Sequence, residues 1–112
     1  MTYNTEPRRH DVETWFEDTA QTVAFVALEG TNQPETVLNA EMRYTIVSGI
    51  GQFCIGNTLV DVEEGDVVMI PPGTPYQDRS EEGMVMLCTT TPPFDPSKTV
   101  SLSKSLFEEL SV

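Results

Sequence analysis

The sequence predicts one all-β domain, a sandwich or barrel, and three observations lead there. Between Thr22 and Thr90, short runs rich in β-branched and apolar residues follow one another with turn signals between them. The signals are strand punctuation: Gly56-Asn57 is a two-residue hairpin signal, and Pro71-Pro72-Gly73 must end a strand because proline lacks the ladder donor. At 112 residues, 38% of them hydrophobic, the chain suffices for one core and one pocket.

The elements follow in order. Residues 1–15 form a polar N-terminal arm, flexible or exchanged with a second subunit at its start. Within it Asp11 is placed to cap a helical turn through Trp15 and Phe16, which then cover one end of the barrel or belong to a lid. Thr22–Leu28 is apolar on both faces and reads as a buried strand. Glu29–Pro34 is turn material. Strands are expected at Thr36–Asn39, Met42–Ser48 and Gly51–Ile55, with Ser48-Gly49-Ile50-Gly51 as a tight connection. Thr58–Val62, Val67–Ile70, Pro75–Arg79 and Met84–Thr90 complete a barrel over residues 22–90. Residues 91–112 are a C-terminal extension. Its Thr91–Pro96 stretch, with three prolines, cannot be regular, and beyond it Leu102, Leu106, Phe107 and Leu110 recur at helical spacing. A short C-terminal helix, capped by Ser103, is expected on the outside of the barrel.

Charge narrows the partners. Six Lys and Arg against eighteen Asp and Glu leave a net charge of −12, which repels phosphate backbones and anionic lipid. No nucleic acid and no membrane are expected as partners. No apolar run approaches the ~20 residues of a membrane span, and the first residues carry no apolar signal core, so the expected compartment is cytoplasmic. Cys54 and Cys88 belong to no C-x-x-C pair and read as buried, reduced thiols. Met69 reads as a core residue, and Arg79 as a surface partner for Asp78, Glu81 or Glu82.

Two stretches carry a resemblance. Gly65-Asp66-Val67-Val68-Met69-Ile70-Pro71-Pro72-Gly73-Thr74-Pro75-Tyr76 resembles the second cupin motif, G-x5-P-x-G-x2-H, with Tyr76 where the family has its histidine. Met42–Gly51 is similar to the end of the first cupin motif, around E-x-x-Y-x-x-x-x-G-x-G. The resemblance covers residues 36–90 and implies a cupin-type jelly-roll β-barrel, and it implies a homodimer through paired or exchanged edge strands. Laid on the full first motif, it puts Thr36 and Leu38 at the two histidine positions and Met42 at the glutamate position. An alcohol, an isobutyl group, a thioether and a phenol are not the imidazole and carboxylate donors that divalent metals want in such barrels. The chain's one histidine, His10, lies outside both motifs. No metal and no other cofactor are therefore expected.

Strand alternation then selects the cup. Thr36, Leu38, Met42, Tyr44, Ile46, Tyr76 and Asp78 share inward parity, and Phe53 joins them as a ligand-facing candidate. Two phenols and a carboxylate in an apolar setting suit a small aromatic or sugar-like organic ligand. Tyr44, Tyr76 and Asp78 are the candidate catalytic residues, as hydrogen-bonding or proton-transferring groups, with core and surface roles as their alternatives. Some small cupins of nucleoside-antibiotic pathways are similar in the tyrosine strand and dehydrate their substrates without metal. They use a barrel histidine that the region around Thr31 here does not offer. Three functions stay open: a metal-independent enzyme of isomerisation, cyclisation or dehydration; a non-catalytic binding or sensing module; and an unusual metal site built from Glu35 or Glu41 with Asp78.

Overall fold

Two long antiparallel strands organise the molecule: β4 (Glu41–Ile55) and β7 (Tyr76–Thr91). Around them are β1 (Arg9–Glu17), β2 (Thr22–Thr31), β3 (Glu35–Val37), β5 (Thr58–Glu63), β6 (Val67–Ile70) and β8 (Thr99–Ser101), and the chain ends in a helix, α1 (Leu106–Leu110). This is a computed structural model that describes residues 7–110. Residues 1–6 of the expected arm and the side chain of Leu110 lie outside the described residues. The eight strands form one curled sheet, an all-β barrel of the cupin type with a short C-terminal helix. Among the described residues no helix is long and apolar enough to cross a membrane.

β4 and β7 pair in two stretches, Glu41–Gly49 against Met84–Thr91 and Gln52–Ile55 against Tyr76–Arg79. The register jumps between Gly49 and Gln52, and the strand bends there without breaking. The expected connection at Ser48–Gly51 is therefore part of a continuous strand. Its backbone groups find partners in β5, through Ile50↔Glu63 and Gly51↔Val62, so no turn is needed to satisfy them. Gly49 sits at φ +89°, and a Cβ there would collide with the Gly83 carbonyl and the Met84 backbone. Only glycine supplies both that dihedral and that clearance. β7 is likewise one strand where two were expected. Ser80 secures its bend, donating to the Ile50 carbonyl at 2.5 Å and accepting from Gly83 N at 2.9 Å.

The helical turn expected from Asp11 to Phe16 does not form. These residues lie in β1, paired with β2 from Arg9↔Glu29 to Glu17↔Thr22. Val12, Thr14, Trp15 and Phe16 favour strand, and the open edge of β2 offers a full ladder, which outweighs one capping residue. Trp15 and Phe16 cover no end of the barrel. Both are exposed, with the Trp15 ring packed at a tilt of 48° on Phe25, 5.2 Å between ring centroids.

Alternation sorts the remaining side chains. Leu28, Ile46, Phe53, Ile70 and Met86 fill the interior. In β6 Val68 and Ile70 point in, while Val67 and Met69 point out, so Met69 is not a core residue. Gly56 takes φ +61° at the first position of the Gly56-Asn57 hairpin turn. Cys54 and Cys88 are both buried thiols. Helix α1 seats Leu106 and Phe107 on the outside of the barrel against Cys54 and Leu102. Its cap is Ser105, whose hydroxyl accepts from Glu108 N at 3.4 Å, in place of the expected Ser103. Among the described residues Arg79 pairs with no acid at the surface. It donates to Gln52 Oε1 and lies over the Phe107 ring, 4.0 Å from the centroid.

Candidate functional site

β7 opens with Tyr76-Gln77-Asp78, and strand alternation sends Tyr76 and Asp78 into the barrel while Gln77 points outward. β4 alternates in the same way and turns Met42, Tyr44 and Ile46 inward. Register sets these against one another: Phe53 opposes Asp78, Tyr44 opposes Cys88, and Glu35 of β3 opposes Tyr76. Tyr44 packs on Phe53 and Tyr76, with ring centroids 5.1 and 6.1 Å apart.

The polar ends of these side chains meet. Tyr76 Oη donates to Glu35 Oε1 at 3.1 Å, and the two phenol oxygens lie 3.2 Å apart. Since Tyr76 has one proton and gives it to the carboxylate, Tyr44 is the donor between the phenols. Asp78, 2% exposed, accepts from Asn32 Nδ2 at 3.1 Å. Thr90 Oγ1 lies 3.9 Å from the Cys88 sulfur.

Burial governs how these groups hold protons. It pushes the Asp78 carboxyl up to about 6, with the Asn32 hydrogen bond opposing and the Glu35 charge adding. Glu35 is raised too, chiefly by burial, against the lowering pull of the Tyr76 hydroxyl and of His10. Both phenols lie well above their ordinary value, first through burial and then through the acidic groups around them. The Cys88 thiol is pushed up to about 11, again mainly by burial. The phenols and the thiol therefore stay neutral, Asp78 is a group that exchanges a proton near neutrality, and Glu35 is shifted in the same direction.

Thr36, Met42, Tyr44, Ile46, Phe53, Tyr76 and Asp78 are all buried. Leu38 is a correction. It is 51% exposed, because β3 ends at Val37 and the chain bends before Leu38 can follow the inward parity. Val37 is buried in its place. Sequence reasoning missed Glu35 as the hydrogen-bond partner of Tyr76, and Asn32 as the partner of Asp78. The only signal for Glu35 was its place one residue before Thr36; the cross-strand register that matters is not written locally. His10 pairs with Leu28, so it shares the inward face of the sheet, on a strand that is exposed along its whole length.

Cupin barrels commonly hold a metal, and the residues here do not fit one. Of the four expected ligand positions, Thr36, Met42 and Tyr76 bring a hydroxyl, a thioether and a phenol into the barrel, and Leu38 points away. Glu35 and Asp78 face the cup, each already accepting a hydrogen bond, while Glu41 is exposed. Among the described residues no group of three or more His, Cys, Asp or Glu is placed to share an ion. A groove of about 660 Å³ lies elsewhere, around the bend of β4, lined by Gln52, Asp61, Glu63, Arg79, Glu81 and Glu82. It touches none of the candidate catalytic residues and is set apart from this site.

No protein-family model and no curated protein matches the chain. Solved structures do. A variant of Streptomyces Pac13 with uridine is 24% identical, with a TM-score of 0.79 over 93% of this chain and 90% of its own. Another Pac13 structure, described as a unique nucleoside dehydratase, is 21% identical with a TM-score of 0.76, covering 96% of this chain and 98% of that one. The cupin domain of Schizosaccharomyces pombe Cnp3 is 13% identical with a TM-score of 0.70, over 78% of this chain and 68% of that one. Likeness at these identities speaks to architecture alone, and the architecture it establishes for this chain is the cupin fold.

Proposed function

We propose that the chain is a metal-independent enzyme that takes a small, hydroxyl-rich organic molecule, of the nucleoside class, and eliminates water from it. The observation that carries this reading is the hydrogen-bonded line Tyr44–Tyr76–Glu35 beside the buried Asp78. It brings together two carboxyls shifted toward neutrality and two phenols that remain neutral donors. The description of Pac13 as a nucleoside dehydratase, and its capture with uridine, support the substrate class.

In this reading Asp78, ionised, takes a proton from a substrate C–H. A carboxylate of this strength removes such a proton only where a neighbouring carbonyl stabilises the carbanion. When substrate binds, the Tyr44 hydroxyl turns from Tyr76 to the developing oxyanion and donates to it, while Tyr76 keeps its bond to Glu35. The C–O bond to the departing hydroxyl breaks as the C=C bond forms, and the proton that Asp78 has taken passes to the leaving hydroxide to give water. Asp78 ends ionised, as it began, and Glu35 stays the acceptor of the Tyr76 hydroxyl throughout.

The test incubates the full chain with nucleosides and with nucleosides bearing an aldehyde or ketone beside the C–H, and follows the loss of one water by mass spectrometry. Dehydration that disappears in Asp78→Asn is expected. Absence of turnover across the panel, or native mass spectra with stoichiometric Zn, Fe, Mn or Ni, overturns it. A second reading, a carrier or sensor, is favoured by the near-complete burial of Tyr44, Tyr76 and Asp78, which leaves Glu35 as the half-buried end of the line. It predicts saturable binding of uridine with the ligand recovered unchanged. In either reading the exposed Val12, Trp15 and Phe16 on the edge strand β1 support assembly as a homodimer.

A further inference from the structure

Asn32 stands one residue beyond β2, outside the barrel strands, yet its polar groups are committed on two sides. Toward the cup, its backbone N–H donates to the Asp78 carbonyl at 2.9 Å and its side-chain Nδ2 donates to Asp78 Oδ1 at 3.1 Å. Away from the cup, its carbonyl accepts from Gln77 Nε2 at 2.7 Å. Its own Oδ1 is held by the Gln33 N–H at 2.9 Å, which fixes the orientation of the amide.

Gln77 carries the connection outward. It is fully buried although it points away from the interior, because α1 lies over it. Its Oε1 accepts from Leu106 N at 2.8 Å, Ser105 Oγ at 3.0 Å and Phe107 N at 3.3 Å. The two backbone N–H groups are first-turn donors that a helix cannot satisfy within itself. One amide side chain thus caps the helix with its oxygen and holds Asn32 with its nitrogen. The line α1–Gln77–Asn32–Asp78 crosses the barrel wall from outside to inside.

We propose that Asn32 is a positioning residue for the Asp78 carboxylate, and that Gln77 couples that placement to the docking of α1, so that the C-terminal helix governs a group inside the cup. The inference rests on the reading of Asp78 as the proton acceptor. Asn32 engages Oδ1 and turns Oδ2 away from itself, which fixes the direction in which the carboxylate presents its basic oxygen. A neutral N–H donor favours the ionised form, so Asn32 also holds Asp78 in the state that accepts a proton. The other titratable groups acting on Asp78 or on its neighbour are acids: Glu35 from β3, Tyr44 from β4, and Tyr76 and Cys88 from β7, the strand of Asp78 itself. His10 of β1 acts on Glu35. None of them offers a substitute donor to Oδ1.

The test needs no substrate, so its failure is distinct from failure of the dehydration reading. Carboxyl carbon shifts of the full chain, labelled at aspartate, are followed against pH, with the Asp78 signal assigned by its loss in Asp78→Asn. Asn32→Ala is expected to move the Asp78 midpoint upward by about one unit, the size of one hydrogen bond to a charged group. Asn32→Asp, which keeps the shape and places a second carboxyl against the first, moves it further, and it carries the test if the alanine variant does not fold. Gln77→Ala is expected to raise the midpoint as well, and to accelerate amide exchange at Leu106 and Phe107. An Asp78 midpoint unchanged in both Asn32 variants overturns the positioning role. Faster exchange in α1 with an unmoved Asp78 overturns the coupling.

Discussion

Replacing Asp78 by asparagine is expected to stabilise the folded protein at neutral pH, against the usual direction for a buried hydrogen-bonded residue. The sign follows from linkage. The unfolded carboxyl titrates near 3.8, and the folded one near 6. Between those values the folded state keeps a proton that the unfolded state has released. Stability therefore falls as pH rises through that window, and the loss is complete above the folded value. A difference of about two units at about 1.4 kcal/mol each makes the ionised carboxylate cost about 3 kcal/mol above pH ~7. At 2% exposure, solvent screening takes little from that figure.

Asparagine keeps an oxygen for Asn32 Nδ2 and carries no charge, but its new NH2 group must find a partner, so the net gain is about 1–3 kcal/mol. Urea unfolding at about pH 7.5 and about pH 4.5 reads it, with equal m-values for both proteins as the check that only stability has changed. The advantage of Asp78→Asn should shrink by about 2 kcal/mol at the lower pH, where the folded wild type regains its proton. Glu35 is raised in the same direction, and taking the difference between the two proteins removes most of its contribution. A variant that is less stable by the same amount at both pH values would refute the reasoning, because the carboxylate would then not be carrying a desolvation penalty.

Two further outcomes are expected. Tyr76→Phe strips the hydroxyl shared by Tyr44 and Glu35, should cost about 1–3 kcal/mol in urea unfolding, and should raise the Glu35 midpoint in a carboxyl titration, since the donor that lowers it is gone. Tyr44→Phe should cost less and leave Glu35 nearly unmoved, because Tyr76 still serves it; equal effects from both would contradict the direction of the line. At the edge strand, sedimentation should give twice the mass of the chain for the wild type and a single-chain mass for Val12→Lys with Trp15→Lys. A wild type that sediments as one chain at high concentration removes the dimer.

The strands were legible where local chemistry decided them. Val67–Ile70 is bounded by Gly65-Asp66 and Pro71-Pro72, and it forms over those same residues. Gly56-Asn57 makes the hairpin its sequence announces. The misread segments are those where a partner strand competed with a local signal. Asp11 is a sound cap in isolation, but β2 offered the backbone a ladder. Ser48–Gly51 is a sound turn in isolation, but β5 took its hydrogen bonds. In the site, period-two alternation turned Tyr44, Tyr76 and Asp78 inward because all three lie within strands, Tyr44 in β4 and the other two at the start of β7. It failed at Leu38, one residue past the end of β3, where alternation has no force.

By itself the chain determined that an all-β barrel would form, that its inward positions would carry phenols and a carboxylate, and that the usual metal donors would be missing from them. Those properties are written in side-chain identity and in spacing along one strand, which the backbone enforces within a few residues. Only the tertiary structure decided that Glu35 meets Tyr76, that Asn32 meets Asp78, and that Gln77 reaches through the wall to α1. Those partners lie 41, 46 and 29 positions apart. Register between distant strands is settled by packing of the whole barrel, and no local pattern encodes it.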